Sequence, residues 1–143
     1  MSGLPPAHLL VLPILLPLAT AALLLGVGEG RRRLKAGASV LAMVANLAVA
    51  VVLMASVQDG ASVHAISVYL PGNWPVPFGI VLALDRLSAI MLLLSACAAL
   101  ASLLFSLARW HRASVHFHPL LQLQLMGLNG AFLTADLFNL FVF

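Results

Sequence analysis

Charged residues divide the chain into apolar runs. Met1–Gly28, Ala36–Gln58 and Leu87–Ala108 contain no Asp, Glu, Lys or Arg. Each run has about 20 residues or more, which at about 1.5 Å per residue crosses a hydrocarbon core of about 30 Å. The pattern predicts transmembrane helices over about 7–27, 37–57 and 87–108. Pro13 and Pro17 fall inside the first of these and predict a kink. Gly60–Leu84 is also uncharged, but it holds Pro71, Pro75 and Pro77 with Gly60, Gly72, Asn73 and Gly79. That is turn chemistry. The β-branched run Val63–Leu70 and the short run Phe78–Leu84 then suggest a loose β-hairpin on one membrane face. The other reading is an irregular loop with a partly buried Trp74.

A fourth helix is expected over about 119–134. It is apolar but carries Gln122, Gln124, Asn129 and Thr134, and Gly127 and Ala131 form a small-xxx-small pair. Asp136 follows, then the run Leu137–Phe143. One continuous helix would put Gln122, Asn129 and Asp136 on one face. A break would make Asp136 the cap of a fifth helix over 136–143. The break is favoured, because a charged Asp is costly in hydrocarbon and cheap at an interface. Seven residues of helix rise only about 10 Å. The chain is therefore expected to be the N-terminal part of a longer protein.

Composition agrees with the spans. Of 143 residues, 63% are apolar and 8% charged. So few charges cannot cover a soluble domain, and so apolar a chain cannot stay solvated and disordered. The single cysteine, Cys97, excludes an intramolecular disulfide and a multi-cysteine metal site. A first span that served as a signal peptide would follow basic residues, whereas here nothing before Arg31 is basic. The expected fold is an all-α integral membrane protein with four transmembrane helices and the start of a fifth. A short outer hairpin loop separates helices two and three.

Charge placement sets the orientation. Arg31, Arg32, Arg33 and Lys35 lie between spans one and two, and Arg109 and Arg112 follow span three. Both groups fall on one side, which the positive-inside rule makes the cytoplasm. The N-terminus is then outside. The same residues could contact anionic lipid, although topology alone explains them. Seven basic residues are too few to suggest a nucleic-acid partner.

Polar residues elsewhere have two readings each. Asp136 and Asn139 could form an outer mouth of a proton pathway, or cap a helix. Asn129, with Gln122 and Gln124, could line a hydrated path, or bond neighbouring helices. His111, His116 and His118 could collect protons, and interfacial histidines without a special role are the simpler reading. Asp85 and Arg86 read as an interfacial pair. No nucleophile elbow, phosphate loop or zinc spacing occurs, so no enzyme, cofactor or metal is expected.

Three segments carry a family resemblance. They are Gly72-Asn-Trp-Pro-Val-Pro-Phe-Gly-Ile-Val, Leu84-Asp-Arg-Leu-Ser-Ala-Ile-Met and the tail HFHPLLQLQLMGLNGAFLTADLFNLFVF. Together they resemble the N-terminal part of the D subunit of the Mrp, Mnh or Pha multisubunit monovalent cation/proton antiporters. The related reading is an antiporter-like component of an NADH:quinone oxidoreductase or a membrane-bound hydrogenase. The resemblance implies a larger polytopic protein in a bacterial cytoplasmic-membrane complex with other antiporter subunits. It would exchange Na+ or K+ for protons, moved along buried, hydrated ionisable groups. The family pattern after Asn139-Leu-Phe-Val-Phe continues with Phe-Glu, a central proton-pathway glutamate of helix five. The sequence stops before it, so a fragment inactive alone is expected. Ala135 stands where the family has Gly.

Overall fold

The computed structural model describes residues 7–28, 30–58, 66–71, 79–109 and 116–143. A 3-10 turn (Ala7–Leu10) precedes α1 (Leu12–Gly26) and α2 (Arg32–Gln58). Strands β1 (Ser67–Tyr69) and β2 (Leu82–Leu84) follow. Then come α3 (Arg86–Arg109), α4 (Phe117–Leu133) and the single turn α5 (Leu137–Leu140).

The helix expected over 7–27 is two pieces. Pro13 has no N–H to reach back to Leu9, so the helical ladder cannot run through it. The chain starts as a 3-10 turn, and Pro13 then sits in the first turn of α1, where a missing N–H is harmless. Only Pro17 lies inside the helix. Turn and helix together still rise about 30 Å.

Successive helices α1–α4 alternate in direction, as two clusters of packed side chains show. One gathers Leu10 and Ile14 of the first segment with Ala50 and Leu53, Ala89 and Leu92, and Leu133. The other gathers Met43, Leu103 and Leu125, with Val40, Leu107 and Phe117 against them. The first cluster joins the end of α2, the start of α3 and the end of α4. The second joins the earlier part of α2, the end of α3 and the start of α4. Thus α2 and α4 run parallel.

Arg32–Val57 and Arg86–Ala108 are long and apolar enough to cross a membrane. Only 28% and 22% of their most apolar windows are buried. A core helix of a soluble protein would be mostly buried. Here Leu41, Val52, Leu94 and Phe105 point outward, a surface that lipid or further helices can cover. Helices α1 and α4 are shorter, at 15 and 17 residues.

The hairpin segment pairs as antiparallel strands, Ser67 with Leu84 and Tyr69 with Leu82. Its strands are shorter than the runs 63–70 and 78–84. Residues 72–78, including Trp74, lie outside the described residues. Leu82 and Leu84 are buried on one face, with the less buried Ala83 between them. The hairpin is tied at several points. Ala135 N–H donates to the Val81 carbonyl at 2.9 Å, and Leu82 bridges Thr134. The Tyr69 hydroxyl lies 3.3 Å from His8 Nδ1.

Helix α4 stops where Thr134 turns to extended backbone, at φ −69° and ψ 135°. Asp136 is therefore off the Gln122–Asn129 face, at the start of α5. The fifth helix expected over 136–143 is one turn only, followed by a turn at 141–142. Phe143 packs back against α4 because Gly130 presents no Cβ. A methyl there would meet the Phe143 ring.

Candidate functional site

The polar residues of the apolar runs converge inside the bundle. On α4, His118, Gln122 and Asn129 are all buried. On α2, Lys35, Ser39 and Asn46 are buried as well. Both stripes have the spacing i, i+4, i+11, which keeps them on one helix face. The helices are parallel, and the stripes meet where Gln122 Nε2 donates to the Ser39 carbonyl at 3.3 Å.

Asn129 bonds two other helices through its side chain. Its Nδ2 donates to the Pro13 carbonyl at 2.8 Å. That carbonyl would normally accept from the N–H of residue 17, and Pro17 has none. Asn129 therefore satisfies an acceptor that the proline exposes inside α1. The orientation of the amide follows, since a carbonyl can only accept. The Asn129 Oδ1 then faces the Ser95 hydroxyl of α3 at 3.0 Å. Ser95 Oγ is also 2.9 Å from the Leu92 carbonyl, and its one proton serves one of them at a time. One side chain of α4 thus joins α1 and α3.

Gln124, by contrast, points out of the bundle into a groove of about 160 Å³ with Ser95 and Ser102. Sequence spacing separates the two glutamines: Gln122 shares the Asn129 face, and Gln124 does not.

The basic cluster divides. Arg31, Arg32 and Arg33 are exposed. Lys35 is only 4% exposed. Helix α2 begins at Arg32, and its turn carries residue 35 onto the inward face. Arg109 ends α3, its side chain outside the described set, and Arg112 and His111 lie outside the described residues. His116 is exposed, whereas His118 is buried with its ring edge-on to Phe117.

The described carboxylates lie at the opposite end. Asp85 precedes α3, and its Oδ1 accepts from the Ser88 N–H at 2.6 Å. That is an N-cap bond, and it holds the Asp85 carboxyl below its ordinary value. Asp85 is thus a helix cap, a role that pairing it with Arg86 did not anticipate. Asp136 is half-buried just before α5, and its carbonyl accepts from the Leu140 N–H at 3.1 Å. Asn139 lies on α5, with its side chain outside the described set.

Sequence reasoning missed Ser39, Asn46 and Ser95. The signal was available for α2, where Lys35, Ser39 and Asn46 repeat the spacing of the α4 stripe.

These features define an integral-membrane bundle with a polar interior, and comparison with known proteins places it. No family model matches the chain. It is 54% identical over 137 residues to the D subunit of a probable K+/H+ antiporter of Rhizobium meliloti, covering 95% of this chain and 25% of that protein. It is 36% identical over 138 residues to the D subunit of the Na+/H+ antiporter of Alkalihalophilus pseudofirmus, covering 95% and 27%. Among solved structures it matches the Mrp complex of a Dietzia species with a TM-score of 0.82 and 31% identity, over 94% of this chain and 25% of that one. The chain belongs to the D-subunit family of the Mrp/Mnh antiporters. It spans about a quarter of the length of those relatives. A more distant similarity reaches the N subunit of an NADH-quinone oxidoreductase of Desulforudis audaxviator, 38% identical over 79 residues, 52% of this chain and 16% of that one. An archaeal membrane-bound sulfane sulfur reductase shares the fold, with a TM-score of 0.79 at 23% identity over 96% of this chain and 28% of that one.

Proposed function

We propose that this chain forms part of the membrane domain of the D subunit in a multisubunit Na+ or K+/H+ antiporter, and contributes there to proton translocation. The observation that carries the reading is the 54% identity to a K+/H+ antiporter component over 95% of the chain. The supporting geometry is a four-helix bundle with outward apolar surfaces and an inward polar face.

In this reading α1 to α4 are four spans of the bacterial cytoplasmic membrane, and α5 begins a fifth. The Arg31–Arg33 cluster and Arg109 lie in the cytoplasm. The N-terminus and the hairpin lie outside, together with Asp85 and Asp136. Asp136 and Asn139 then stand at the outer mouth of a proton pathway. Partners are other antiporter subunits and the surrounding lipid, and the transported ions are H+ with Na+ or K+. The second reading, a proton-pumping component of a redox complex, is favoured by the similarity to the oxidoreductase N subunit, which covers only half the chain.

The test uses the full-length protein in its assembled complex. Everted vesicles should collapse an imposed pH gradient when K+ or Na+ is added. Asp136→Asn should weaken that response without loss of the complex. Proton movement that follows NADH oxidation and ignores both cations would replace the antiporter reading with the redox one.

A further inference from the structure

The α2–α4 seam holds polar atoms that the helix-bonding role leaves unused. Ser39 Oγ, Gln122 Oε1 and Asn46 Oδ1 have no hydrogen-bond partner among the described residues. All three residues are essentially sealed from the surface, at 0%, 0% and 1% exposure. A buried oxygen left without a hydrogen-bond donor is unfavourable. Ser39 and Gln122 stand at one level, since the Gln122 amide already touches the Ser39 backbone. Their two unpaired oxygens therefore belong to the same level of the seam.

Lys35 adds an independent observation. It lies one turn before Ser39 on the same face, 4% exposed. Its stem is buried, while its ammonium, with three donors and no acceptor, is not among the sealed polar atoms and stands at the rim of the seam. Donors at Lys35 and acceptors at Ser39 and Gln122 thus sit within one helical turn, about 6 Å along the axis. Above them, Met43, Leu103 and Leu125 form an apolar layer, and Asn46 lies beyond it.

We propose that the basic end of the α2–α4 seam is a water-binding site. Water bridges Ser39 Oγ and Gln122 Oε1 and extends to the Lys35 ammonium. A separate water reaches Asn46 Oδ1 on the far side of Met43. Each oxygen then gains a donor. Water is the ligand these groups select, because a buried water makes about three hydrogen bonds to otherwise unpaired polar atoms. An anion would find Lys35 and the Ser39 hydroxyl but would be repelled by the Gln122 amide oxygen, and a metal cation would be repelled by Lys35.

Met43 is a built-in reporter. It is 1% exposed and lies between the two polar levels. Hydroxyl radicals made by a millisecond X-ray pulse oxidise side chains that touch bound water. In the full-length protein within its complex, Met43 should be oxidised in that pulse despite its burial. Ser39→Ala combined with Gln122→Leu should slow the oxidation by about fivefold, as the bound water is lost. Met91 of α3 should be unchanged and controls for folding. If the double variant does not assemble, Ser39→Ala alone removes one orphaned hydroxyl and should slow Met43 measurably. A Met43 that resists oxidation in the parent protein overturns the proposal. So does oxidation at equal rates in parent and Ser39→Ala. The readout involves no ion transport, so its failure would leave the antiporter reading standing, and the reverse.

Discussion

The Asn129 amide bonds the Pro13 carbonyl, at 2.8 Å, because Pro17 has no N–H to offer it. A defect in one helix and a polar residue in another, far apart in sequence, complete each other inside the bundle.

That relationship makes the two positions energetically dependent. Asn129→Leu orphans a buried carbonyl and should destabilise the protein by about 1–3 kcal/mol. Pro17→Ala restores the helical donor to Pro13. In that background the same Asn129→Leu change should cost about 1 kcal/mol less. Denaturation of the four proteins of the cycle in detergent checks this. Strict additivity would show that the Pro13 carbonyl does not need Asn129.

Asp85 caps α3 through the Ser88 N–H. Asp85→Ala should destabilise by about 1 kcal/mol, and Asp85→Asn by less, since Asn caps about as well. The pH dependence follows from a carboxyl held below the ordinary aspartate value by the Ser88 hydrogen bonds. The charged form is the one the fold prefers. Its contribution is present above the unfolded value and is lost as pH falls through the lower folded value. Thermal unfolding should therefore separate parent and Asp85→Ala at pH 7. The gap should close only as the pH drops below that of an ordinary aspartate.

Gly130 makes room for the Phe143 ring. Gly130→Ala should cost about 1–3 kcal/mol by overpacking. Pairing it with Phe143→Ala should remove most of that cost. Thermal midpoints of the two single variants and the double variant decide the matter. An undiminished penalty in the double variant would place the clash elsewhere.

Orientation is testable by labelling. In a Cys97→Ala background, Ile80→Cys should react with an impermeant maleimide in intact cells, and Arg33→Cys should react only after lysis. The opposite pattern would invert the proposed topology.

Much of the architecture was legible along the chain. Charge-free runs located helices α1 to α4, since hydrocarbon tolerates few charges. The Pro/Gly cluster located the hairpin segment, and Asp136 located the end of α4. Element limits were less legible. Pro13 split the first run into a 3-10 turn and a helix, a consequence of one missing N–H. Phe143 packs beside Gly130, a contact between residues with no local signature.

The candidate site divides along the same line. Sequence alone determined which polar residues lie in apolar surroundings, because composition and helical period are properties of one segment at a time. It did not determine their partners. Lys35 looked like a member of an exposed basic cluster until α2 turned it inward. Asn129 read as a helix-bonding residue in preference to a path-lining one, but its partner, the Pro13 carbonyl, came only from the packing of α1. Ser39 and Gln122 became a pair only when two parallel helices aligned their stripes. Hydrogen bonds between helices depend on relative rotation and register, and only packing of the whole bundle sets those.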